Sequence, residues 1–392
     1  MIGKLADTRD RIDIEQLFAS SRSFTLNGKT FKPLIIGDLT ARIPIVQGGM
    51  GVGISLSGLA SAVANAGGVG VLAAAGIGLL EPDGFKDFLG ANIRALRKEI
   101  RKARALTDGI LGVNIMVALS NFADMVRTAI EEKIDIIFSG AGLPVNLPEF
   151  LQAVPGAKTK LVPIVSSGRA ATLLAKRWLD KYNYLPDAFV VEGPKAGGHL
   201  GFKKEQIDDP AYALEKIVPE VIAAVAPFGE KHGRKIPVIA GGGIYTGADI
   251  RKFIELGADG VQMATRFVAT EECDASDAFK NTYITAHEDD LQIIKSPVGM
   301  PGRAIGNQFL ADVEAGKKKP FACPYHCIVT CDVEHAPYCI SLALLNAQKG
   351  NLDKGFAFAG ANAWRCDRIV KVQELMDELQ KEYEESADGV QD

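Results

Sequence analysis

Eight short apolar, β-branched runs recur between residues 43 and 263, each ending at a glycine, a polar residue or a charge. They are Ile43–Gln47, Val69–Ala73, Leu111–Ile115, Ile134–Phe138, Leu161–Val165, Ala188–Glu192, Ile236–Ala240 and Gly260–Met263. Segments with helical periodicity lie between most of them: Gly58–Ala66, Gly84–Ala105, Asn121–Glu131, Ala170–Lys181, Ala211–Ala226 and Ala248–Leu256. Apolar strands alternating with amphipathic helices call for a parallel sheet covered on both faces. Eight such units favour closure into an α/β (β/α)8 TIM barrel over an open doubly wound sheet, which stays as the alternative.

The chain has 392 residues, enough for a barrel of about 250 residues with additions. After Phe267 the alternation stops, and the stretch 268–355 reads as a small, mainly helical subdomain lying over the barrel mouth as a lid. Residues 1–35 read as an N-terminal extension, 36–267 as the barrel and 356–392 as a tail whose charged amphipathic helix packs on the barrel. With 23% charged residues and a net charge of −4, the composition offers no nucleic-acid footprint. Val52–Leu80 carries no charge over 29 residues, a length that could span a membrane. Its seven glycines and dispersed serines fit strand, turn and helix in a buried α/β core instead. The charged first ten residues lack the apolar centre of a signal peptide, so a soluble, cytoplasmic protein is expected, with no membrane partner.

In a barrel, chemistry gathers at the C-terminal ends of the strands and in the loops that follow. Those positions hold Gly48-Gly49-Met50-Gly51, Asn114, Ser139-Gly140, Ser166-Ser167, Glu192, Gly241-Gly242-Gly243 and Gln262-Met263-Ala264-Thr265. Glycines and small polar residues let a ligand lie close to the backbone. Just past the sixth run, Ala196-Gly197-Gly198-His199-Leu200-Gly201 sets a histidine among glycines. Histidine titrates near neutrality, so His199 is a candidate acid or base, the alternative being a loop histidine that caps a turn. Glycines after the seventh run and Ala264-Thr265 after the eighth would let backbone N–H groups converge on a phosphate, as recurs at that pair of strands. A merely flexible Gly-Gly-Gly turn is the bland reading. Neither a Gly-x-Gly-x-x-Gly fingerprint nor a P-loop lysine motif is present.

Four segments in series carry a resemblance: Pro44–Gly51, Ala196–Gly201, Ile239–Ile244 and Val261–Phe267. The chain resembles the nitronate monooxygenase family, formerly 2-nitropropane dioxygenase, which includes flavin-type enoyl-acyl-carrier-protein reductases and related NAD(P)H:flavin or quinone reductases. The resemblance covers about residues 40–310 and implies a TIM-barrel flavoprotein holding FMN non-covalently at the barrel mouth. It implies that Gly49, Met50, Gly51 and Gly198 lie along the flavin, with Asn114 near the ring or ribityl chain. Gly241, Gly242, Gly243, Ala264 and Thr265 would hold the phosphate, with Gln262 and Met263 beside it, and His199 would be the catalytic histidine. Ala264 stands where many relatives have glycine, and a backbone N–H still serves there. Glu192 replaces a smaller or amide residue and would bias the charge near the ring. The implied activity is the oxidation of alkyl nitronates with O2 to carbonyl compounds and nitrite. The alternatives are a reductase drawing on NAD(P)H as a transient co-substrate and a non-catalytic flavin-binding protein. The substrate is a small molecule in either enzymatic reading, and the oligomeric state is left open.

Four of the six cysteines cluster as Cys323-x3-Cys327-x3-Cys331-x7-Cys339, with His326 and His335 among them. Four thiols within 17 residues could ligate an iron–sulfur cluster or zinc. The spacing matches neither the paired Cys-x2-Cys of zinc ribbons nor the ferredoxin runs, and buried structural thiols on one helix face would look the same. No metal is assigned from the sequence. Cys273 and Cys366 read as isolated core residues, and His232 and His287 as solvated positions without partners.

Overall fold

The computed structural model describes residues 30–319, 323 and 326–387; most of the expected N-terminal extension lies outside them. The first described elements are a small hairpin, β1 (Leu34–Ile36) and β2 (Leu39–Ala41). The barrel strands are β3 (Ile45–Gln47), β4 (Gly70–Ala73), β5 (Leu111–Met116), β6 (Ile136–Gly140), β7 (Lys160–Val165) and β8 (Phe189–Glu192). A two-residue strand, β9 (Gly198–His199), stands apart, and β10 (Val238–Gly241) and β11 (Gly260–Met263) complete the barrel set. All eight expected runs are strands. Every neighbouring pair in the order β3-β11-β10-β8-β7-β6-β5-β4 is parallel.

The sheet closes. Val46 bridges Val69 in parallel, with Gln47 N donating to Val69 O and Val69 N to Ile45 O, both at 2.9 Å. That bond decides for the barrel over the open sheet. Inside, Val46, Val71, Phe138, Val162, Val190 and Ile239 form one apolar layer. Leu34 and Ile36 of the hairpin belong to the same layer. Leu34 packs where a Cβ on Gly260, the first residue of β11, would sit. The hairpin therefore seals the N-terminal end and leaves only the C-terminal end free for a ligand.

The outer ring begins with α1 (Ser57–Asn65), α2 (Phe88–Leu106) and α3 (Phe122–Glu131) and continues with α4 (Leu147–Gln152), α5 (Gly168–Tyr182), α6 (Leu214–Lys231) and α7 (Gly247–Glu255). Ala91, Ala95, Leu96, Ile100 and Ala103 set the buried stripe of α2, and the Asp87 carboxylate caps its start by accepting from Gly90 N at 3.0 Å. The expected helices are all present. The six-residue α4 was not anticipated, because it is too short to show a period.

Past β11 come α8 (Thr265–Val268), α9 (Asp277–Ile284) and a β-hairpin, β12 (Leu291–Lys295) and β13 (Pro301–Ile305). Then follow α10 (Gln308–Glu314), α11 (Ile340–Gln348) and α12 (Val372–Glu385). Between residues 269 and 355 the described residues hold three short α-helices and the hairpin, joined largely by irregular chain, and the hairpin is not visible in the periodicity. The terminal α12 packs against both α7 and α1 and occupies the place of the eighth barrel helix. Leu375, Met376 and Leu379 are fully buried there. The Arg251 guanidinium donates to Tyr383 O and stacks 4.1 Å from the Tyr383 ring centroid. Residues 265–371 are thus one long insertion between the last strand and its helix, directly above the barrel mouth. Among the described residues no helix is long and apolar enough to cross a membrane.

Candidate active site

A cavity of about 600 Å³ opens at the C-terminal end of the barrel. Gly49, Met50, Gly51, Asn114, Glu192, Gly198, His199, Gly242, Gly243, Gln262, Met263, Ala264 and Thr265 all line it. Gly241 does not; it is the last residue of β10 and packs toward Gln262.

His199 reaches the cavity on β9, which pairs antiparallel with β13 through Gly302 opposite His199. Arg303 secures this arrangement from below. Its Nη1 donates to Pro194 O at 2.6 Å and to Ala196 O at 2.9 Å, tying the loop that carries His199 to the insertion. The imidazole Nε2 lies 2.6 Å from Ser296 Oγ, and the ring meets Phe358 edge-on at 4.9 Å between centroids. Burial pushes its pKa down to about 4, so the ring is neutral at physiological pH. Its Nδ1 makes no hydrogen bond among the described residues, and a Cβ on the preceding Gly198 would meet nothing within 4 Å. His199 is therefore not a turn cap. With Ser296 donating, Nδ1 is a proton donor; with Nε2–H donating to Ser296, Nδ1 is a base.

At the other end, the chain turns through Gly242 (φ 99°) and Gly243 (φ 85°). A Cβ on Gly242 would lie 3.0 Å from both Ala196 N and Gly193 O, and one on Gly243 2.8 Å from the Lys195 Cβ. The turn is a shaped one, against the flexible-linker reading. The N–H groups of Gly242, Gly243, Ala264 and Thr265 have no hydrogen-bond partner among the described residues. Four orphan amides facing a cavity form a receptacle for an anion. Near the rim, a Cβ on Gly49 would come within 2.4 Å of the Asn114 Cβ, so only glycine lets these two wall segments touch.

Glu192 ends β8 in the cavity wall with no side-chain hydrogen bond among the described residues. Burial pushes its carboxyl up to about 7. It is protonated below that pH and anionic above it. A negative charge in the wall repels an anionic substrate, so kcat/KM toward such a substrate should fall several-fold above pH 7 in the native protein. Glu192→Gln should flatten that limb in rate measurements from pH 6 to 9. An unchanged inflection in the variant would assign the titration to another group.

Several residues that build the site escaped sequence reasoning. Ser296, Phe358 and Gly360 come from the insertion, roughly a hundred residues beyond His199 in the cases of Ser296 and more for the others, and no periodic signal links them to it. Lys195 is different. It sits four residues before His199, lines the cavity and lays its aliphatic stem against Gly243, so its charge within the glycine-rich motif was a usable signal.

The sequence of residues 32–382 matches the model of one protein family, described as nitronate monooxygenase. The chain belongs to the nitronate monooxygenase family. Members of that family are oxidoreductases, and flavin is the family's cofactor. An octahydroindene-carboxyl-CoA dehydrogenase of Mycobacterium tuberculosis is 31% identical over 275 residues, covering 70% of this chain and 66% of that protein, just under two thirds of its length. A probable nitronate monooxygenase of Staphylococcus aureus is 27% identical over 311 residues, covering 70% and 78%. FabK of Thermotoga maritima superposes with a TM-score of 0.68 at 29% identity, covering 89% of this chain and 94% of that one. A nitroalkane oxidase of Streptomyces ansochromogenes shares the fold, with a TM-score of 0.67 at 22% identity over 89% and 97% of the two chains.

The cysteines of this family member divide into two sets, and all six are free thiols. Cys273 and Cys366 are buried in the core, as expected. Cys323, Cys327, Cys331 and Cys339 line a second, small cavity with His326, away from the barrel mouth. His287 is exposed as expected, whereas His232 has a partner after all: its Nδ1 lies 2.8 Å from Phe228 O.

Proposed function

We propose that this protein is an FMN-dependent oxidoreductase that oxidises alkyl nitronates with O2, acting on small molecules in the cytoplasm. The observation that carries this reading is one cavity holding both the neutral His199 and the four orphan amides of residues 242, 243, 264 and 265. The amides suit a single phosphate, and Gly198, whose Cβ position is open, leaves room for a flat ring system along the wall. When bound, FMN supplies the electron chemistry. Asn114 and Gln262 would hold its polar edges, with Lys195 near the phosphate.

His199 acts on the substrate. Through Nδ1 it would donate a hydrogen bond to a nitronate oxygen or, in the other tautomer, take the α-proton from a neutral nitroalkane. Two nitronates are oxidised per O2: in each the C–N bond breaks, the nitrogen leaves as nitrite, and one of the two oxygen atoms becomes the carbonyl oxygen. Two nitronates and one O2 thus give two carbonyl compounds and two nitrites. Phe358 and the insertion exclude water from the ring's other face.

A second reading, an NAD(P)H-dependent reductase of activated alkenes or quinones, is favoured by the apolar breadth of the wall, which includes Met50, Met116, Leu143, Phe202, Met300 and Leu344. The 29% identity to FabK points the same way. An anaerobic titration separates the two. Bleaching of the flavin absorbance by a short alkyl nitronate, but not by NADH or NADPH, is the expected result. Rapid bleaching by either nucleotide would replace the nitronate reading with the reductase.

A further inference from the structure

The small cavity beside α11 is lined by four of the chain's six cysteines, brought together from three turns of chain and one helix start. Cys323, Cys327 and Cys331 lie on the loop before α11, and Cys339 is the residue that opens that helix. We propose that these four thiols are the ligands of a soft metal centre, either zinc or an iron–sulfur cluster, outside the catalytic cavity.

The surroundings are built for sulfur. His326 N donates to Cys323 Sγ at 3.3 Å, and Ser341 Oγ lies 3.0 Å from Cys327 Sγ. The backbone amides of Ser341 and Leu342, in the first turn of α11, bond to the Cys339 sulfur. Polar neighbours at sulfur orient it as a ligand. His326 holds the left-handed backbone conformation at φ 43°, an uncommon state for a residue other than glycine, and this turn sets Cys323 and Cys327 on the same cavity. A core that needed only apolar filling would not require four thiols on one cavity, three of them with polar neighbours.

The space between them is about 20 Å³, little more than one water needs. Among the described residues no three His, Cys, Asp or Glu side chains are drawn together as a metal ion requires. Filling the site therefore needs the thiols to turn inward. A single zinc would demand the tighter closure, with Zn–S near about 2.3 Å, whereas a cluster gives each thiolate its own iron and would spread them apart.

The segment is tied to the barrel mouth. Leu119 bridges Ile328, Val329 N donates to Ala118 O at 2.9 Å, and Thr330 Oγ1 donates to Val298 O at 2.9 Å. Val298 belongs to the turn that presents Ser296 to His199. A metal in this cavity would brace that turn.

The test is metal and acid-labile sulfide content of the full chain purified without air, repeated after reconstitution with iron(II) and sulfide, and separately with zinc. The expected result is about one zinc per chain, or about four irons with matching sulfide. Cys331→Ser and Cys339→Ser should each lose it while keeping bound flavin and the native circular dichroism. The wild-type measurement stands even if a variant fails to fold. A wild-type chain that holds neither metal after both reconstitutions would overturn the proposal, as would metal that persists in both folded variants.

Discussion

Replacing His199 with alanine is expected to lower kcat/KM by about 100-fold or more, with flavin content unchanged. The size follows from what the ring alone provides. Within the cavity, His199 offers an unpaired imidazole nitrogen, its Nε2 is held by Ser296, and the ring is fixed edge-on to Phe358. Because burial keeps the ring neutral down to about pH 4, the loss should be constant from pH 6 to 9, where the native ring is always neutral. Steady-state rates across that range, with the flavin absorbance of each preparation as control, provide the measurement. Turnover within a few-fold of native would remove His199 from the chemistry and leave it a structural histidine.

The second large effect is expected on binding. Gly242→Val should yield a folded protein that purifies with little or no flavin. Gly242 sits at φ 99°, where a β-branched residue is strained by about 1–3 kcal/mol. Its new Cβ would press on Ala196 N and Gly193 O, which are backbone and have no rotamer to escape into. The loop that yields is then the one that carries Lys195 and, a few residues on, His199. The Gly242 amide would turn away from the anion receptacle it shares with Gly243, Ala264 and Thr265. Absorbance of the purified variant and an added-FMN titration measure this. Flavin retained at native stoichiometry would place the phosphate elsewhere.

The fold was legible because its signals are local. Each barrel strand is a short run such as Phe189–Glu192 whose buried residues are consecutive in the chain, and each helix carries its own stripe. The rim was legible for the same reason. Glycines at strand ends, as at 48–51 and 242–243, mark places where the backbone itself lines the cavity, and no distant partner is needed to recognise them. Gly241 shows the limit: one residue earlier in the turn, it belongs to the strand and does not line the cavity.

The insertion was less legible. The pairing of β13 with Gly198–His199 joins residues a hundred positions apart, and two-residue strands such as β9 leave no period to read. Helix α12 could be recognised as a helix from its spacing, but its place as the closing helix depends on contacts with α7 and α1 that span the whole barrel. Local periodicity and composition were thus enough to determine eight strands, their helices and a glycine-lined mouth, since those depend on neighbours within one turn or pleat. Which side chains meet across the mouth, including Ser296 on His199, Arg303 under its loop and four cysteines on one cavity, was decided only by tertiary contacts. Those pairs are distant in sequence, and their partners are chosen by packing in three dimensions, which no pattern along a single chain encodes.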